Sequence, residues 1–86
     1  MKEITLNDTV VMMRSSDYKE RFKAEYWQLV TRFNGLQKML KKWDIGALEF
    51  KPTCPISTYR MQEKVMSEYI TVLEARAAME NIDLLN

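Results

Sequence analysis

Phe22, Tyr26, Leu29, Phe33, Leu36, Leu40 and Trp43 follow one another at alternating spacings of four and three residues. This is the a/d pattern of a helix packed along a straight seam, sustained for three heptads. A helix carrying it has roughly 27 residues and a length of about 40 Å at 1.5 Å per residue. A small globule has no use for a helix of that length, so its partner must be a second long helix. The pattern therefore predicts an all-α chain.

The rest of the sequence supplies that second helix. Only two glycines and two prolines interrupt the 86 residues, which favours few, long elements. At this size the chain is expected to be a single domain, residues 1–86, near the limit at which one core suffices. The expected order is a lead-in over 1–16, a helix over 17–44, a loop over 45–55 and a helix over 56–81. Thr5-Leu6-Asn7-Asp8 has the form of a capping box. It predicts a short helix from Leu6 to Met13 with Val10, Val11 and Met13 as its apolar side, the alternative being a short strand through Ile4 to Leu6. Ser16 or Asp17 caps the long helix, and Lys38, Lys41 and Lys42 suit the negative end of its dipole. Gly46 is placed to stop it. In the loop, Leu48 and Phe50 are expected to fold back as a plug over the open end of the helix pair. Pro55 suits the first turn of the second helix.

That second helix carries two apolar seams. Tyr59, Met66, Tyr69, Ile70, Leu73 and Ala77 lie on one side, and Met61, Val65, Val72, Ala75 and Met79 on another. One hairpin partner covers only one of them. The expectation is a long antiparallel helical hairpin with a short N-terminal helix, assembling with itself as a homo-oligomer through the second seam.

Composition excludes much. The net charge of +1 gives no overall field to recruit nucleic acid or an anionic membrane, so neither is expected as a partner. No apolar run approaches a membrane span and the first residues lack a signal-peptide core. The lone cysteine, Cys54, precludes an intrachain disulfide, and a cytoplasmic setting is expected. With no histidine, neither a histidine-containing zinc site nor a Ser-His-Asp relay can be built. No Gly-rich phosphate loop is present either. The chain is read as a non-enzyme, with no metal and no cofactor.

Candidate binding residues concentrate at the start of the long helix. Arg14, Ser15, Ser16, Asp17, Tyr18, Lys19, Glu20, Arg21 and Phe22 combine cations, hydroxyls and aromatic rings at a helix N-terminus, where free N–H groups attract phosphate. Tyr18 or Trp27 is suited to stack on a base, and Arg14, Lys19 or Arg21 to pair with phosphate oxygens. The ordinary reading is capping plus a surface ring. The first helix carries a net charge of +3 and the second −1. Arg21/Glu25 and Arg60/Lys64/Glu68 form i,i+4 sets that read as a solvated face, or as part of an anion site where subunits meet. Arg76, inside an apolar run, either pairs with Glu80 or Glu25 or points into a ligand pocket. The candidate ligand-binding set is Arg14, Tyr18, Lys19, Arg21, Trp27, Arg60 and Arg76.

Several strings are distinctive: Asp17 to Tyr26 (DYKERFKAEY), Lys42-Trp43-Asp44, Phe50 to Pro55 (FKPTCP) and Tyr69 to Arg76 (YITVLEAR). Together they resemble small proteins encoded by phages and prophages of gut bacteria, a family named after a crAss-like phage gene product. The resemblance spans Thr5 to Leu84. More loosely, the layout resembles the helical-hairpin module of phage anti-CBASS and anti-Thoeris sponges, small oligomers that sequester cyclic nucleotide messengers. The shared features are two helices, a tyrosine near the first helix start and an arginine late in the second. Spacings do not align residue by residue, so no ligand residue is implied.

The resemblance implies a counter-defence protein of the infected bacterial cell that sequesters a cyclic nucleotide between subunits. A helical inhibitor or adaptor of a protein such as an immune nuclease, and a purely structural helical protein, are the alternatives.

Overall fold

A computed structural model of the protein describes residues 4–85. Three helices follow in order, α1 (Leu6–Met13), α2 (Tyr18–Asp44) and α3 (Ile56–Met79), with no strand among the described residues. The molecule measures 43 × 24 × 23 Å, its long dimension set by α2.

Each helix begins and ends for a local reason. At α1 the capping box closes in both directions: the Thr5 hydroxyl accepts from the Asp8 amide, and the Asp8 carboxylate accepts from the Thr5 amide at 2.9 Å. The short strand alternative through Ile4 is thereby excluded. Asp17 caps α2 by accepting from the Lys19 amide at 2.9 Å. Gly46, with φ of 71°, takes the left-handed conformation that ends α2, and the Ala47 amide donates back to the Lys42 carbonyl. Asn81, with φ of 58°, does the same for α3, the Ile82 amide reaching the Ala77 carbonyl at 2.8 Å. Both are Schellman closures. The second one ends α3 at Met79, two residues short of the expected 81.

α2 packs against both α1 and α3. Contacts between α2 and the α3 segment run in opposite order along the chain. Lys19 reaches Asn81, Phe22 reaches Arg76, Tyr26 reaches Glu74 and Asp44 reaches Arg60. The two long helices are antiparallel.

The core sits at one end of this hairpin. Phe22, Tyr26, Leu73, Ala77 and Ile82 are buried, with Trp27, Leu29, Val30, Ile70 and Leu84 packed around them. Ile82 and Leu84 come from the segment after α3, which folds back against α2. Its position is held by the Trp27 indole N–H, which donates to the Leu84 carbonyl at 2.9 Å. Burying a large apolar side chain contributes roughly 1.5–3 kcal/mol, so this end carries most of the fold. Toward the other end the seam thins out. Leu40 is fully buried, but Phe33 and Leu36 are half-buried and Trp43 is 38% exposed.

Three expectations are corrected. Of the expected apolar side of α1, Val11 points outward and Val10 is exposed, while Met13, also partly exposed, still reaches α2 through its sulfur, which accepts from the Gln28 side chain. The centre of its docking face is Thr9, fully buried, whose hydroxyl donates to the Leu6 carbonyl and accepts from the Gln28 side chain at 3.0 Å. In an eight-residue helix, a side chain that satisfies its own polar group inside can win the interface from exposed valines. Phe50 is no plug, being 58% exposed, although Leu48 is half-buried. Tyr69 does not lie in the inward seam of α3. It is 42% exposed, at the edge of α2, and its hydroxyl donates to the Glu25 carboxylate.

The second α3 seam stands open on this chain. Met61 is 67% exposed, Val65 56%, Val72 55% and Met79 75%.

Candidate binding site between the start of α2 and the end of α3

Arg76 organises the site. It lies on α3 where Phe22 of α2 presents a ring face, and its guanidinium carbon sits 4.8 Å from the ring centroid. Its Nε donates to the Glu80 carboxylate at 2.8 Å, one helical turn later. Stacking below and an ion pair beside fix the plane of the guanidinium. Only Nε is used in the Glu80 bond, and the terminal amino groups remain oriented donors on a half-exposed side chain. The Glu80 hydrogen bond, chiefly, raises the pKa of Arg76 against a smaller opposing effect of desolvation, so the group is a permanent cation.

Two tyrosines border it. Tyr18, the first residue of α2, is 48% exposed and lies within electrostatic reach of the Arg76 guanidinium. Tyr69, seven residues before Arg76 and so on the same edge of α3, is also within its reach. The hydrogen bond to Glu25, more than burial, raises the pKa of Tyr69. A held cation within electrostatic reach of two exposed phenols and beside a carboxylate can pair with a phosphate, while the rings offer faces to a base and the carboxylate accepts from ribose hydroxyls or exocyclic amines.

The other candidates divide. Lys19 is at the same end, with Nζ 3.4 Å from the Asn81 carbonyl. Arg21 is also there, but its Nη1 donates to the Ser15 carbonyl at 2.8 Å and braces the turn between α1 and α2. Arg14 ends α1, its amide reaching the Val11 and Met12 carbonyls and its side chain exposed. Trp27 uses its polar edge on Leu84 and its ring against Tyr26, edge to face at 5.2 Å. Arg60 stands apart, since sixteen residues of helix separate it from Arg76, about 24 Å. It pairs with Asp44 at 2.5 Å and with Glu63 at 3.9 Å, fastening the loop end of the hairpin. The expected i,i+4 pairing of Arg21 with Glu25 does not form; Glu25 serves Tyr69 instead.

Sequence reading missed Tyr69 and Glu25 as members of this group. The available signal was the seven-residue step from Tyr69 to Arg76. Tyr26 also serves the structure, being buried with its hydroxyl donating to Glu74 at 2.8 Å. Burial first, and Glu74 second, push its pKa up to about 12.

At the far end, Trp43, Gly46, Leu48, Glu49, Phe50 and Pro52 border an open cleft of about 390 Å³. No group of three carboxylates or thiols able to hold a metal occurs among the described residues. No helix among them is long and apolar enough to cross a membrane.

A protein-family model described as Sequestin matches residues 16–79, from the residue before the cap of α2 to the last residue of α3. The chain belongs to the Sequestin family. The match covers about three quarters of the 86 residues and contains Tyr18, Glu25, Tyr69 and Arg76. The Sequestin name accords with a protein that binds and withholds a ligand rather than one that transforms it. No curated protein and no solved structure matches this Sequestin chain.

Proposed function

We propose that this protein is a non-enzymatic phage counter-defence protein that binds a cyclic nucleotide immune messenger and withholds it from its receptor. In this reading Arg76 pairs with a phosphate, Tyr18 and Tyr69 flank the base or ribose, and Lys19, Arg14 and Arg21 add positive charge at the same end. The ligand lies between subunits of a homo-oligomer in the bacterial cytoplasm. The observation that supports the reading is the Arg76 guanidinium held over Phe22 and against Glu80, half-exposed and within electrostatic reach of Tyr18 and Tyr69, in a Sequestin chain.

A second reading draws on the open apolar face of α3, which would serve a protein partner such as an immune nuclease. The test is a thermal-shift panel on the pure protein with cyclic di- and trinucleotides and cyclic ADP-ribose isomers. A sequestering protein is stabilised by what it binds, by about 2.7 kcal/mol at a hundredfold excess over Kd. A panel in which no nucleotide moves the melting temperature sinks the first reading and leaves the second.

A further inference from the structure

The open face of α3 has an internal symmetry. Met61, Glu68 and Ala75 occupy d positions of a heptad, and Val65, Val72 and Met79 occupy a positions. Laid against a copy of itself in reverse order, this helix brings each a residue opposite a d residue. Met61 meets Met79, Val65 meets Ala75 and Glu68 meets Val72, all centred on the level of residue 70. Six such layers extend over about 27 Å of helix. All six side chains are exposed on the single chain.

Charge selects the direction. In parallel order Glu68 of one helix would face Glu68 of the other across the seam, two like charges against each other. In reverse order each Glu68 faces a valine. The N-terminal part of α3 (Arg60, Glu63, Lys64) has a net charge of +1, and its C-terminal part together with the capping Glu80 (Glu68, Glu74, Arg76, Glu80) −2. Reverse pairing sets these opposite parts together.

The edges matter most. In an antiparallel pair, e positions face e positions, and those of α3 are Gln62, Tyr69 and Arg76. This is the edge that already adjoins α2, since Tyr69 donates to Glu25 and Arg76 covers Phe22.

We infer that two copies of the chain pair through α3 in antiparallel order about a two-fold axis at the level of residue 70. Arg76 of each copy then lies beside Gln62 of the partner subunit, and the two Tyr69 rings meet near the axis. The inference rests on the homo-oligomer in the function proposed above. It adds the interface, the direction and a second-copy contribution to the site: an amide that donates to phosphate oxygens or reads a base edge, and a ring.

Cysteine cross-linking tests it, in a Cys54→Ser background that removes the exposed native thiol. Val65→Cys with Ala75→Cys should give a covalent dimer of about 20 kDa, twice the 10.2 kDa chain, under mild oxidation. The two positions are about 15 Å apart within one helix, too far for an intrachain bond. Each single variant should remain at the size of one chain. Cross-linking of Val65→Cys alone would mean parallel pairing and overturn the inference. So would a double variant that stays unlinked while light scattering finds a dimer, because another face would then be in contact. A parent chain that scatters as a 10.2 kDa monomer would overturn it as well. In that last case the nucleotide panel still reports, independently, whether a single chain binds a messenger.

Discussion

The indole N–H of Trp27 donates to the carbonyl of Leu84 at 2.9 Å, joining residues 57 apart in the chain. This bond holds the segment after α3 over the core, where Ile82 is buried and Leu84 is packed against it. Trp27 thus supports the end of the hairpin at which Arg76 and Tyr18 stand.

A first prediction follows from that bond. Trp27→Phe keeps a large ring in place and loses the donor, so stability should fall by about 0.5–1.5 kcal/mol in urea titration. Nucleotide affinity, measured where the variant is fully folded, should be unchanged. A tenfold loss of affinity with little loss of stability would put Trp27 in contact with ligand.

Phe22 is both core and platform, 4% exposed and stacked under Arg76. Phe22→Ala should cost about 3–5 kcal/mol, a large share of what a chain of this size holds. Phe33→Ala, at a half-buried seam position, should cost less. Equal losses in chemical denaturation would show that the two halves of the seam are equally packed.

Arg76→Gln and Tyr18→Ala should leave the fold intact, since both side chains are about half exposed. Loss of one charge-assisted contact to a ligand is worth about 1.5–3 kcal/mol, or roughly ten- to a hundredfold in affinity. Calorimetry with the messenger identified in the thermal panel measures it. Parent-like affinity in both variants would move the site elsewhere.

Alkali should weaken the fold through Tyr26. Its folded-state pKa, pushed up to about 12 by burial and then by Glu74, lies above the ordinary value of 10. The folded state therefore holds its proton more tightly. The stability this represents is fully present below pH 10 and is lost as pH rises from 10 toward 12. Tyr26→Phe, with no proton to lose, should show a shallower decline over that window when melting temperature is followed against pH. Parallel curves for parent and variant would contradict it.

The long helices were legible because their signals are periodic and local. The seam from Phe22 to Leu40 announces a helix, and Asp17 and Gly46 mark its ends through side-chain capping and a left-handed turn. The same logic found the Thr5–Asp8 box. What stayed hidden depends on how helices are rotated against one another. Tyr69 lies within a turn of both seams of α3, and only the position of Glu25 on α2 decides that it faces outward. Thr9 is polar, and its hydroxyl is satisfied by Leu6 and Gln28 only once α1 docks, so apolar periodicity does not place it inside. Ile82 and Leu84 follow the end of α3 without periodicity, so no pattern tied them to the core. Asn81 followed by an apolar residue was the sign of a closure there, and it was readable. For the site, the cluster at the start of α2 could be seen, but its union with Tyr69 and Arg76 required the antiparallel register.

Sequestration without turnover is the central claim, and ligand recovery tests it most directly. The protein is mixed with the stabilising nucleotide near stoichiometry, free ligand is separated by ultrafiltration, and the protein is then heat-denatured. Chromatography should show free nucleotide depleted in proportion to protein and returned chemically unchanged after denaturation. A nucleotide that is never depleted, or one converted to product by a small fraction of its own amount of protein, would contradict the account.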